Sequence, residues 1–112
     1  MTVLMLDEMM LECLRNCTEC HNMCLQTAVS PDVVGKIGAA DLALLLNCAD
    51  LCRACADVLN TASPYHRPVC RACSEICEAC ALMCDQTNIE VMRMCASICR
   101  TCAGSCRRMT EH

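Results

Sequence analysis

The chain has 112 residues, a formal net charge of −4 and sixteen cysteines, which is one residue in seven. This length is enough for one compact domain and too short for two, so we expect a single domain over residues 1–112. Because acidic and basic residues are mixed and no uncharged apolar run reaches about 20 residues, we expect neither a nucleic-acid nor a membrane partner.

The N-terminus carries acidic residues where a secretory signal peptide would stay apolar. Asp7 and Glu8 follow a very short apolar run that has no basic start. We therefore expect no export and a cytoplasmic protein. The cytosol keeps thiols reduced, which favours metal binding over disulfides as the explanation of a cysteine-rich chain.

Three groups of helix-breaking residues divide the chain into four helix-length segments. They lie at Ser30–Asp32, with two glycines shortly after, at Asn60–Pro68 and at Gln86–Asn88. The predicted helices, in chain order, cover residues 4–28, 32–60, 67–86 and 88–108.

Two capping patterns support these boundaries. Ser30 before Pro31 fits an N-cap followed by proline at the first position of the second helix. Thr87 with Glu90 three residues later fits a capping box at the start of the fourth helix.

One cysteine pattern recurs in the four predicted helices. The spacing C-x3-C-x2-C-x3-C is complete in the first, third and fourth helices, while the second has Leu59 in the last place. An additional cysteine extends the third helix's row by one step. In chain order the sixteen are Cys13, Cys17, Cys20, Cys24, Cys48, Cys52, Cys55, Cys70, Cys73, Cys77, Cys80, Cys84, Cys95, Cys99, Cys102 and Cys106.

The spacing predicts one stripe of thiols on each helix. Steps of four, three and four average about 3.5 residues, which is the period of the seam between helices in a left-handed bundle. The sequence therefore predicts an all-α fold, an antiparallel up-down-up-down four-helix bundle with a cysteine-lined core. Since cysteine is smaller than leucine, we expect the metal-free core to be loose or to leave room for ions.

Thiols at this spacing favour soft metal ions. Residues three or four apart on a helix have Cβ atoms about 5–6 Å apart, which suits two sulfurs on one ion and is wide for a disulfide. Thiolates select Cu(I), zinc or iron–sulfur clusters. A continuous ladder of shared sulfurs fits many Cu(I) ions of low coordination number. The nine methionines favour the same ion, and four of them extend the stripes of the first and last helices: Met5, Met9, Met92 and Met109.

Two other functions remain as alternatives to Cu(I) storage. An iron–sulfur electron carrier is compatible with the C-x2-C pairs, although a C-x2-C-x2-C run is missing. A zinc or toxic-metal buffer is the other, although two tetrahedral zinc sites would use eight cysteines and leave eight without a role. No phosphate loop, activated nucleophile or carboxylate pair predicts an enzyme.

The segments CLRNC at Cys13–Cys17 and CRACSEICEAC at Cys70–Cys80, within this four-helix layout, resemble the bacterial copper storage proteins. The resemblance covers nearly the whole chain. It implies a cytosolic homotetramer of four-helix bundles, each binding roughly one or more Cu(I) per cysteine through inward thiolates. Leu59 departs from the pattern, because a fourth cysteine of the second helix is expected there.

The resemblance also implies that ions enter at one open end, near the end of the first helix. Met, His or Asp side chains lie beside the last cysteines at that end in the family. The matching residues here are Cys20, His21, Met23, Cys24 and Asp41. His66, in the loop predicted at the opposite end, is expected to bind metal less readily than His21.

Leucines on a second helix face predict subunit contacts. Leu11, Leu14 and Leu25 lie away from the cysteines of the first helix, and Leu42 and Leu46 do so on the second. A monomer would leave them in water, so we expect a homo-oligomer. Any copper chaperone or cuproenzyme that exchanges metal with the chain is not identified by the sequence.

Overall fold

The computed structural model describes residues 7–112. This part of the chain forms four α-helices and no strand, which confirms the all-α prediction. The helices are α1 Glu8–Ala28, α2 Ala39–Asn60, α3 His66–Asp85 and α4 Glu90–Met109. The predicted helix start at residue 4 and Met5 lie outside the described residues. The placement of Met9 on the inward stripe of α1 is wrong, because its side chain is exposed.

The helices are arranged around one axis in the predicted up-down-up-down order. α1 packs against α2 and α4, and α3 packs against the same two helices. The bundle has an α2–α3 end, which contains the connection 61–65, and an α3–α4 end, which contains the connections 29–38 and 86–89.

The start of α1 is fixed by a side-chain cap. The Asp7 carboxylate accepts a hydrogen bond of 2.8 Å from the Met10 backbone N–H, which satisfies one of the donors left free at a helix N-terminus. This contact lowers the pKa of Asp7, and the side chain of His112 contributes in the same direction.

The predicted start of α2 at residue 32 is wrong, because residues 31–36 form turns and the helix begins at Ala39. The Ser30 hydroxyl accepts from the Asp32 backbone N–H, so it stabilises a turn instead of capping α2. Gly35 then adopts a left-handed conformation with φ of 77°, which interrupts a continuous helix.

The predicted capping box at the start of α4 is also wrong. The Thr87 hydroxyl donates to the Cys84 carbonyl at 2.9 Å, so it closes the end of α3. Ile89 occupies the N-cap of α4 and makes no side-chain cap. The fourth helix therefore begins two residues later than predicted, at Glu90.

The core of the bundle consists mainly of thiols. All sixteen cysteines are fully buried, and none is in a disulfide. Larger apolar side chains, also fully buried, follow the thiols at both ends: Leu45 and Met92 at the α3–α4 end, and Leu59 and Met109 at the α2–α3 end. Each contributes about 1.5–3 kcal/mol by leaving water. No helix within residues 7–112 combines the length and apolar character needed to cross a membrane.

Candidate metal centre

The helical stripes bring the sulfurs of all four helices into contact along the bundle axis. Sulfur–sulfur distances between neighbouring helices include 3.5 Å for Cys55–Cys70 and 3.8 Å for Cys24–Cys95. A disulfide bond is about 2.05 Å long, so these are contacts between free thiols. At these points the cysteine rows of neighbouring helices leave no free space between them, contrary to the expected loose core, because the helices already touch through sulfur.

Four groups of four sulfurs converge closely enough to surround one ion each. Within each group all Sγ atoms lie within 4.8 Å of one another. The groups are Cys13, Cys17, Cys55 and Cys106; Cys17, Cys73, Cys102 and Cys106; Cys20, Cys52, Cys77 and Cys102; and Cys20, Cys24, Cys48 and Cys99. They are called the first to fourth four-sulfur groups below.

Shared sulfurs join these groups into one ladder. Cys17 and Cys106 belong to both the first and the second group, Cys102 links the second to the third, and Cys20 links the third to the fourth. The continuous ladder expected from the spacing is therefore present. An ion bound at one group shares a ligand with an ion bound at the next.

The distances between the sulfurs already suit metal coordination. Four sulfurs placed about 2.3 Å from a central ion, as in tetrahedral zinc sites, are separated by about 3.8 Å. The contact between Cys52 and Cys77 is 3.6 Å and that between Cys20 and Cys99 is 3.7 Å. Ions bound by two, three or four of these sulfurs can thus be accommodated with little movement of the helices.

Four cysteines lie outside the four-sulfur groups and extend the ladder at its ends. Cys70 is at the α2–α3 end, and Cys80, Cys84 and Cys95 are toward the α3–α4 end. They are as fully buried as the others. Each end of the ladder thus has thiols that are not committed to a preformed group.

Contacts with neighbouring sulfurs shift the pKa values of the core thiols. Cys102 is the main cause that raises the pKa of Cys106, and burial raises it further. Cys20 raises the pKa of Cys99, again with burial, but it lowers the pKa of Cys48. Each of these three thiols is therefore coupled to the sulfurs that it contacts, because contacting sulfurs share protons.

The residues of the predicted entry site are not gathered in one cluster. Cys20 and Cys24 of this predicted site belong to the fourth four-sulfur group. The half-buried His21 instead donates from Nδ1 to the Ala49 carbonyl at 2.7 Å. Asp41 lies in the first turn of α2, eight residues before Ala49, which is about 12 Å along the helix. Met23 is half-buried against the core. Among residues 7–112, the groups of converging ligand atoms include neither His21 nor Asp41, and their ligand roles stay predictions.

His66 lies in the register of the core cysteines, although the sequence favours His21 as the metal-binding histidine. His66 lies four residues before Cys70, so it continues the four-three-four spacing of α3 toward the α2–α3 end. Its Nδ1 atom is 3.1 Å from the Ser63 carbonyl, and its Nε2 atom is buried without a hydrogen-bond partner. The signal for this position in the sequence is the step of four residues from His66 to Cys70, which repeats the steps between cysteines of the row.

The second leucine face lies on the outside of the bundle. Leu11, Leu25, Leu42 and Leu46 are between 37% and 40% exposed, as expected for a single copy of the chain. Leu14 is instead partly buried against the core. The exposed leucines of α1 and α2 are thus apolar side chains that the core of a single copy does not cover.

Comparisons with known proteins point to one family. A family model described as "Csp: Copper storage protein" matches residues 4–111. A crystal structure of a protein from Nitrosospira multiformis superposes with a TM-score of 0.87 at 32% identity, covering 94% of this chain and 97% of that one. A Cu(I)-bound copper storage protein of Bacillus subtilis superposes with a TM-score of 0.63 at 31% identity, covering 92% of each chain.

A curated relative extends the similarity over a shorter segment. The cysteine-rich protein YhjQ of Bacillus subtilis is 33% identical over 69 residues. These residues make up 62% of this chain and 59% of that relative, so the match spans less than two thirds of the relative's length.

Proposed function

The chain belongs to the copper storage protein family, and from this premise we propose that it stores Cu(I) by taking many ions into the cysteine core of the bundle. The ladder of four-sulfur groups joined by shared cysteines is the observation that carries this proposal. The proposed ligands are the sixteen core cysteines, with His21, Met23 and Asp41 as further candidates. A soft monovalent ion that accepts two or three bridging thiolates fits such a ladder.

Charge neutrality favours Cu(I) over divalent ions in this core. One Cu(I) per thiolate leaves no net charge inside the bundle. Four divalent ions on the twelve cysteines of the four groups would bring eight positive charges against twelve negative ones. The remaining buried charge of −4 would be costly in an interior without counter-ions.

The metal-free bundle can fold because protonated thiols behave as small hydrophobic side chains. Sixteen buried thiolates could not be tolerated without metal, so each arriving ion must displace thiol protons as it binds. The raised pKa of Cys106, caused mainly by Cys102, keeps this proton in place until an ion arrives. Uptake therefore releases acid, and the amount released reports the number of thiolates used.

We further propose a single-domain, cytoplasmic homotetramer that acts as a store and buffer and is not an enzyme. The exposed leucines of α1 and α2 support contacts between subunits, since they give each copy an apolar face. The mixed surface charge gives no support for nucleic-acid or membrane partners. Light scattering at micromolar protein tests the tetramer, and a monomeric mass would contradict it.

An anaerobic titration of fully reduced protein tests the storage function. Cu(I) is added in the presence of a chromophoric Cu(I) chelator, whose absorbance marks the point at which the protein is saturated. We expect on the order of one ion per thiol. Saturation at two or three ions would reject storage. A parallel competition with zinc separates Cu(I) storage from zinc buffering, because zinc should not displace bound Cu(I).

A further inference from the structure

We infer that His66 is a metal ligand and that, with Cys70 and Met109, it forms a Cu(I) site of mixed imidazole, thiolate and thioether ligands at the α2–α3 end. The inference rests on the proposed storage function and deepens it. It places a nitrogen ligand at the end of the bundle opposite to the predicted entry site. The site would be the outermost metal position on the ladder.

The helix register places His66 one step beyond the last thiol of α3. His66 is the first residue of the helix and precedes Cys70 by four residues, the same step that separates cysteines within the row. The contact of 3.5 Å between Cys55 and Cys70 fixes the pairing of the antiparallel α2 and α3 at this end. The same pairing brings Leu59 level with His66, and Leu59 is fully buried.

The hydrogen bonding of His66 leaves a nitrogen lone pair inside the protein. Because the Ser63 carbonyl can only accept, the Nδ1 atom 3.1 Å away must carry the proton and donate it. The Nε2 atom of the neutral ring then has a free lone pair. It is buried and has no hydrogen-bond partner, and Leu59 on the neighbouring helix cannot supply one.

This arrangement is the one that metal-binding histidines usually have. One ring nitrogen donates to a backbone carbonyl, which fixes the tautomer and the ring orientation, and the other is free to bind the ion. A buried acceptor without a partner costs stability, and native structures seldom retain one without a function. A metal bond at Nε2 would remove that cost.

Two sulfur side chains lie one helical turn inward of His66 in the register of the core. Cys70 is one helical turn inward and belongs to none of the four-sulfur groups, so its thiolate is not already committed. Cys73 and Cys106 share the second group, and the same antiparallel pairing of α3 and α4 brings Met109 level with Cys70. Met109 is fully buried. Imidazole, thiolate and thioether all bind Cu(I), and a single thiolate makes the buried site neutral.

The position of the site connects solvent with the ladder. His66 is only partly buried and adjoins exposed residues of the connection 61–65, whereas Cys70 contacts Cys55 of the first four-sulfur group. An ion held here can pass from the imidazole to sulfurs that already belong to the ladder.

Nuclear magnetic resonance of the three histidines tests this site directly. Full-length protein with ¹⁵N-labelled histidine is titrated anaerobically with Cu(I), and long-range proton–nitrogen spectra report each ring nitrogen. We expect a protonated Nδ1 in metal-free His66 and a shift of its Nε2 signal as the protein fills. An unchanged Nε2 signal up to saturation would overturn the inference, whatever the capacity of the chain.

Two matched variants extend the test to ion number. His66→Gln should lose about one ion per chain in the chelator titration. His112→Gln, at the same end but exposed and paired with Asp7, should lose none. Equal capacity of wild type and both variants would count against the site and leave storage intact. A wild-type capacity of two or three ions with a shifted His66 signal would instead reject storage and support the site.

Discussion

Because some sulfurs of the ladder are shared between groups, substitutions of equally buried cysteines should reduce Cu(I) retention by unequal amounts. Cys106 belongs to two of the four-sulfur groups, whereas Cys84 belongs to none. Both are fully buried. The pair Cys106→Ala and Cys84→Ala therefore separates the effect of the group geometry from the effect of losing one thiol.

The expected magnitudes follow from the groups. Each variant loses one of sixteen thiols, so a model that counts thiols alone predicts the same loss, about one ion, for both. In the structure, Cys106→Ala leaves two of the four groups with three sulfurs, while Cys84→Ala leaves all four intact. Both substitutions remove one buried sulfur atom, so their cost in folding stability should be similar, on the order of 1 kcal/mol.

A chelator transfer assay measures the difference. Each protein is loaded anaerobically, freed of unbound ions and mixed with increasing concentrations of a chromophoric Cu(I) chelator. We expect Cys106→Ala to give up about two ions, one for each of the two groups that lose a sulfur, at concentrations at which Cys84→Ala stays close to wild type. Superimposable transfer curves for the two variants would refute the proposal that the groups are the working units of the store.

Three further outcomes are expected. Acidification should weaken Cu(I) binding about tenfold per pH unit for each thiol proton that the ion displaces. Competition with a Cu(I) chelator between about pH 7.5 and 5.5 measures this change in affinity. An affinity that does not depend on pH would contradict proton displacement. Neighbouring sulfurs and burial raise the pKa values of Cys99 and Cys106 above 9.0, so these two protonated thiols stabilise the folded metal-free protein below that pH. This stabilisation is lost as the pH rises further, and the Tm of the metal-free protein, measured by circular dichroism, should fall above about pH 9. A constant Tm would contradict the raised pKa values. Loading should raise the Tm, since ions at 100 times their Kd add about 2.7 kcal/mol per independent site; unchanged calorimetric melting would contradict binding to the folded state.

The buried face of each helix could be predicted from the sequence because one periodicity specifies it. Steps of four, three and four can place all the cysteines on one side only if the segment is helical, and the structure buries every one of them. The pairing of neighbours followed from the short connections. The four-helix bundle and its cysteine core could therefore be predicted from the sequence.

The helix starts were harder to predict, because a hydroxyl can serve either of two neighbouring elements. Ser30 and Thr87 both precede helices in sequence, but Ser30 stabilises a turn and Thr87 bonds to the end of α3. The choice depends on the backbone conformation between helices, and in the first case on Gly35. Local sequence patterns do not contain that information.

Which cysteines belong to each four-sulfur group could not be predicted from the sequence. The spacing along one helix specifies which thiols lie in the same row, but each group contains cysteines from at least three helices. Which of these thiols meet depends on the axial stagger of the helices. The same limit applies to His21, which lies beside Cys20 in sequence but contacts Ala49 of α2.

The contacts between thiols bear on how the proposed store can take up many ions in a core whose neighbouring helices touch through sulfur. At 3.5–4.0 Å the sulfurs are in van der Waals contact, and these distances are close to the separation of about 3.8 Å between sulfurs that surround one ion. Binding therefore exchanges protons for metal within nearly the same sulfur framework, and the helices need not separate to make room. A store built in this way can fill by single ions while the fold stays intact, because the sulfur spacing of the metal-free ladder already matches the spacing around a bound ion. The same argument explains why cysteine, and not a larger residue, occupies the core: its side chain packs as a hydrophobic group when protonated and binds metal when the proton leaves.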